Sequence, residues 1–85
     1  MIEKPAGTAT VASVEAAMDV FIDALQADAS NYVSVPLDGE PTTEQLKEIR
    51  KEIRRALKLD ALLGFFYNRA TAQWELGVIN ASPTL

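Results

Sequence analysis

Apolar residues recur at alternating spacings of three and four along two stretches of the chain, the signature of helices that bury one face. In the first, Val14, Met18, Phe21 and Leu25 follow Val11 in that rhythm and Ile22 widens the stripe, while Glu15, Asp19 and Asp23 line the opposite side one turn apart. This predicts a helix over 11–27, packed on a sheet; five stripe positions are too few for a coiled coil. The second stretch runs from Thr42 to Leu59, with Leu46, Ile49, Ile53 and Leu57 as its stripe and strong helix formers between them. Pro41 cannot extend this helix backward, and Thr42 with Gln45 reads as a capping box. The helix is expected to stop near Leu62, with Gly64 available for a left-handed cap.

Elsewhere the period drops to two. Val33, Val35 and Leu37 alternate with Tyr32, Ser34 and Pro36, which predicts a strand over 32–37, and Pro36 places it at a sheet edge because proline donates no ladder bond. Asp38 to Pro41 is a turn. Phe65 to Tyr67 suit a second strand, Asn68 to Thr71 a tight turn, and Ala72 to Asn80 a third strand in which Trp74, Leu76 and Val78 share one face. Residues 1–10 read as a flexible lead-in, 11–80 as one domain and 81–85 as a short tail. The element order is therefore α-β-α-β-β: an α+β fold with a three-stranded sheet and both helices on one of its faces. The strand–helix–strand crossover that joins the first two strands is expected to be right-handed.

Composition narrows the chemistry. The chain has 85 residues, without a single Cys or His. Disulfides, thiolate or imidazole metal sites and a Cys nucleophile are thereby excluded, along with the commonest general base, which leaves carboxylates, Lys, Tyr, Ser and Thr for any chemistry. Asp38, Glu40 and Glu44, near Tyr67 and Arg69, form the one polar cluster open to catalysis; their spacing matches no calcium loop and they read as turn and cap residues. A non-enzymatic module without a cofactor is the expectation. No apolar run reaches the roughly 18 to 20 residues of a membrane span, and the N-terminus lacks a signal-peptide core, so the chain reads as soluble and cytoplasmic. Of 41 apolar residues thirteen are Ala, which leaves 28 large enough to fill an interior and makes self-association a natural way to bury more surface.

Charge is unevenly spread about a net of −4: Glu15 to Asp28 carries four acids and no base, whereas Thr42 to Asp60 carries six bases against four acids. Lys47, Lys51, Arg54 and Lys58 fall on one ridge of the second helix with Arg50 at its margin. Such a ridge can track phosphates or meet an acidic protein. It can also be a solvated face, since Glu44, Glu48 and Glu52 each precede a base by three residues. A further option is that the acidic stripe of the first helix meets this ridge. On the sheet, Tyr32, Phe66 and Ile79 are expected on the face away from the helices, where they would be left wet in a monomer. These residues make a homodimer or another protein partner the leading expectation, with nucleic acid on the basic ridge as the alternative.

Overall fold

A computed structural model describes residues 7–84, and in it the chain runs as two helices and three strands: α1 (Val11–Ala27), β1 (Val33–Leu37), α2 (Thr43–Leu57), β2 (Leu59–Asn68) and β3 (Gln73–Pro83). The α+β class and the α-β-α-β-β order are those the periodicity predicts. Both helix starts are fixed by side-chain oxygens that take up otherwise orphaned N–H groups. At α1, Thr10 Oγ1 accepts from the Ser13 amide at 3.2 Å, while Asp38 holds Thr10 itself, accepting from its amide at 2.8 Å and from its hydroxyl at 2.6 Å. At α2 the capping box is complete: Thr42 accepts from the Gln45 amide at 3.1 Å, and the Gln45 side chain accepts from the Thr42 amide at 2.9 Å.

The end of α2 departs from expectation. The helix stops at Leu57, and Lys58, not Gly64, takes the left-handed cap conformation at φ 58°, its amide bonded to the Arg54 carbonyl at 2.9 Å. The reason lies in the alternation that begins at Leu59. Leu59, Ala61, Leu63, Phe65 and Tyr67 point one way, and Asp60, Leu62, Gly64, Phe66 and Asn68 the other, so the stretch forms a ten-residue strand along the whole length of β3. Leucines suit either element locally, and pairing with β3 decides between them. For the same reason 81–83 belong to β3 and are no tail: Ala81 pairs with Ala61 and Pro83 with Leu59.

The sheet order is β1-β3-β2 with both pairings antiparallel, so β1 and β2 are mutually parallel and the last strand lies between them. Pro36 sits on an edge strand, as its missing N–H requires. The register sets the two faces. Val33, Val78 and Leu63 form one row, Val35, Leu76 and Phe65 the next, and Leu37, Trp74 and Tyr67 the third. Apart from Phe65, which is 41% exposed, these rows meet Phe21 and Leu25 of α1 and Ile49 and Ile53 of α2 in a single core. Trp74 is buried there, its ring 5.5 Å from that of Tyr67 and 6.0 Å from that of Phe65.

Residues 8–10, expected to belong to a loose lead-in, are pinned to the turn before α2. Thr8 bridges Glu40, Ala9 is buried with its amide on the Glu40 carbonyl at 3.0 Å, and a side chain at Gly39 would stand 2.6 Å from the Thr8 backbone. Only glycine allows that approach. Residues 1–6 of the expected lead-in lie outside the described residues, and the Gly7 carbonyl accepts from the Glu40 amide at 3.2 Å. No described helix is long and apolar enough to cross a membrane.

Candidate interaction surfaces

Because both helices occupy one side of the sheet, the other side is bare among the described residues. Its rows are Ser34–Gly77–Gly64 and Pro36–Glu75–Phe66, continued by Asn80–Leu62. A register shift between Leu62 and Leu63 leaves Ile79 as an extra residue on β3, and this bulge lays its side chain over Gly64, where an added Cβ would come within 2.7 Å of Ile79 Cδ1. Tyr32 reaches in from just before β1, its hydroxyl 3.7 Å from where a Gly77 Cβ would stand. The glycine pair thus forms the bottom of a shallow depression of about 230 Å³ between Tyr32, Phe66 and Ile79.

The three residues singled out from the sequence are therefore brought together, and all are exposed: Tyr32 at 75%, Phe66 at 53% and Ile79 at 59%. Leu62, at 58%, belongs to the same face and was missed because the sequence placed it at a helix end. The signal was present in the alternation of Asp60, Leu62, Gly64 and Phe66. Glu75 is the carboxylate in the midst of this face, and it is held laterally, accepting from Asn68 Nδ2 at 2.5 Å and from Ser34 Oγ at 3.2 Å. Its charge is thereby turned along the sheet, beside the depression.

The basic ridge occupies the flank of α2 above β2. Lys47, Arg50, Lys51 and Arg54 border a hollow of about 220 Å³ with Asp60 and Ala61 of β2. Arg54 lies 3.8 Å from Asp60 and Lys47 4.0 Å from Glu44, while Glu52 accepts from Arg55 at 2.6 Å; all the bases in these pairs are well exposed. That last pair holds the Glu52 carboxyl below its usual range and raises the Arg55 guanidinium. Lys58 stands at the helix end as its left-handed cap. Among the described residues no ion pair joins α1 to α2, so the acidic stripe of α1 does not meet the ridge. Instead Glu15 and Asp19 face the opposite, acidic flank of α2.

Of the polar residues at the turn, Asp38 has a structural role at the start of α1. Asp38 is committed to Thr10, whose two donors hold its carboxyl below the ordinary carboxylate value. Among the described residues, no three acidic side chains converge as metal ligands. No protein-family model, curated protein or solved structure matches the chain. What it binds has to be read from these surfaces.

Proposed function

We propose that the chain is a non-enzymatic protein-contact module that self-associates through the bare face of its sheet. The observation that carries this reading is the cluster of Tyr32, Phe66 and Ile79 around the Gly64–Gly77 depression, with Leu62 farther along the same face, four large apolar side chains that no described helix covers. With each more than half exposed, they present roughly 400 to 500 Å² of apolar surface, at the upper end of what a monomer's largest patch reaches. At about 25 cal/mol per Å², burying it on two copies is worth on the order of 20 kcal/mol gross, against the roughly 4 to 15 kcal/mol that association costs. A two-fold axis through the depression sets each apolar cluster against its equivalent, as an isologous interface requires. Glu75, opposite Phe66 on the central strand, lies inside that contact with its carboxylate already bonded to Asn68 and Ser34.

The test is the solution mass of the parent and of Phe66→Glu, by light scattering coupled to sizing. A parent dimer and a folded monomeric variant support the reading. A parent that stays monomeric at high micromolar concentration overturns it.

A second reading, nucleic acid on the ridge of Lys47, Arg50, Lys51, Arg54 and Lys58, draws on the finding that α1 leaves that ridge unneutralised. Against it stand the net charge of −4 and the absence of any exposed large apolar side chain on α2 on which a base could stack.

A further inference from the structure

Between their N-terminal halves the two helices leave a groove of about 590 Å³. Its floor is apolar, built from Val11, Val14 and Met18 of α1, and Val11 is 70% exposed. Its banks are acidic: Glu15 and Asp19 rise on the α1 side, and Glu44, Glu48 and Glu52 on the α2 side. Among the described residues neither Lys nor Arg lines it, because α2 carries its ridge on the other flank. Glu52 has Arg55 and Glu44 has Lys47, whereas among the described residues Glu15, Asp19 and Glu48 have no ion pair. The fold thus holds two like-charged banks across an apolar floor, with the repulsion of Glu15, Asp19 and Glu48 uncompensated by any ion pair among the described residues.

We propose that this groove docks a cationic amphipathic helix from a partner protein. The chemistry of the occupant follows from the lining. An apolar floor calls for apolar side chains, so a merely basic segment leaves it wet. The carboxylates recur at four-residue steps on each bank, one helical turn or about 6 Å apart. A helix with an apolar stripe at i, i+3 and i+7 repeats its flanking residues at that same interval, so Lys or Arg on both sides of the stripe come opposite both banks together. Nucleic acid and anionic membrane are repelled by the banks, and their carboxylates do not converge as a metal site would require. A second copy is a poor occupant: its ridge has the charge, but α2 exposes no large apolar side chain to seat on Val11 and Met18. This site is separate from the sheet face and does not rest on self-association there.

The probe is a labelled model helix of Leu and Lys, with Leu on one stripe and Lys on both flanks, titrated with the full chain and followed by fluorescence anisotropy. Binding is expected in the micromolar range, weakening about tenfold or more between low salt and about 0.5 M NaCl as the banks are screened. The variant Glu15→Gln/Asp19→Asn/Glu48→Gln should bind at least about tenfold more weakly while melting no lower than the parent, because it removes repulsion and leaves the core intact. Val11→Asp should lose binding with every bank carboxylate still present. Phe66→Glu should bind like the parent, which keeps failure at this groove distinct from failure at the sheet. The proposal is overturned if the parent does not bind the probe, if the triple variant binds it as well as the parent, or if a Ser/Lys peptide without Leu binds equally. It is also overturned if Phe66→Glu abolishes binding, which would move the probe to the sheet. Finally, if Lys51→Gln/Arg54→Gln/Lys58→Gln strengthens probe binding about tenfold, the groove is filled by the ridge of another copy and the partner helix is ruled out.

Discussion

Trp74 offers the sharpest check on the arrangement of the sheet. It is the one tryptophan of the chain, it is 4% exposed, and it stands in the inner row between Leu37 and Tyr67 with two aromatic rings within 6.0 Å. Trp74→Ala removes the largest side chain of the core and leaves a void that two strands and a helix layer cannot close. Such truncations cost about 3 to 5 kcal/mol, part of it lost transfer energy and part unfilled cavity. At roughly 0.05 to 0.15 kcal/mol per residue, a chain of 85 residues has on the order of 4 to 13 kcal/mol in total. The variant should therefore lose a large fraction of that stability, and at the lower end of the range it should not fold. Urea unfolding followed by circular dichroism measures the difference, and Trp74→Phe should recover part of it by keeping a ring against Tyr67 and Phe65. Emission of the parent should be blue-shifted and move to the red across the same transition. A midpoint for Trp74→Ala within error of the parent, or emission of a fully wetted indole in the native protein, would refute the inner-row assignment and with it the identity of the bare face.

Two further outcomes follow from how the charged groups are held. Because the two Thr10 donors depress the Asp38 carboxyl, its contribution to stability is complete above the ordinary value of 3.8 and is lost as the pH falls through the lower folded-state value. Between about pH 5 and pH 2 the melting temperature of the parent should thus fall further than that of Asp38→Asn, which has no carboxylate to protonate there; equal falls would show that the clamp on α1 is not charge-dependent. Lys51→Gln/Arg54→Gln/Lys58→Gln should fold like the parent, since the Arg54–Asp60 contact at 3.8 Å between exposed groups is worth at most about 1 kcal/mol. Heparin retention of the parent at low salt, lost in this variant, would instead favour the nucleic-acid reading.

Periodicity was enough for the helices and for the faces of the strands, because each side chain's neighbours three, four or two positions away determine which side it shows. Val11–Ala27 follows from the sequence to the residue, and so does the capping box at Thr42. The boundary at Leu57 was not legible. Lys58 has no local preference for a left-handed backbone, and Leu59 to Leu63 satisfy either period until β3 is in place to pair with them. Strand order was also hidden, since the placing of β3 between β1 and β2 depends on contacts remote in sequence. Tyr32, Phe66 and Ile79 could be assigned to one face by parity, but Ile79 reaches Gly64 only through the bulge, which shifts the register at Leu62 and Leu63. The acidic stripe of α1 was visible as a pattern, whereas its neighbour across the groove could be known only from the packing of the helices.

That packing gives α2 a division of labour which its sequence alone leaves undetermined. With Ile49 and Ile53 directed at the core, one flank must turn toward α1 and the other toward the edge of the sheet. Bases on the α1 side would have paired with Glu15 and Asp19 and closed both charge patterns on themselves. The reverse arrangement is found: Glu44, Glu48 and Glu52 turn inward and Lys47, Arg50, Lys51 and Arg54 outward. Each charge set consequently faces its own surroundings, and the bare sheet face lies on the far side of the strands from both. A dimer closed through Tyr32, Phe66 and Ile79 would hold its two helix layers outermost, each with its groove open. A partner with two cationic helices, linked at a length that spans the dimer, would then bind with an effective concentration that a monomer cannot provide. Phe66→Glu should weaken such a two-helix probe strongly while leaving the single Leu/Lys helix unaffected; equal effects on the two probes would show that the dimer does not present its grooves to one partner.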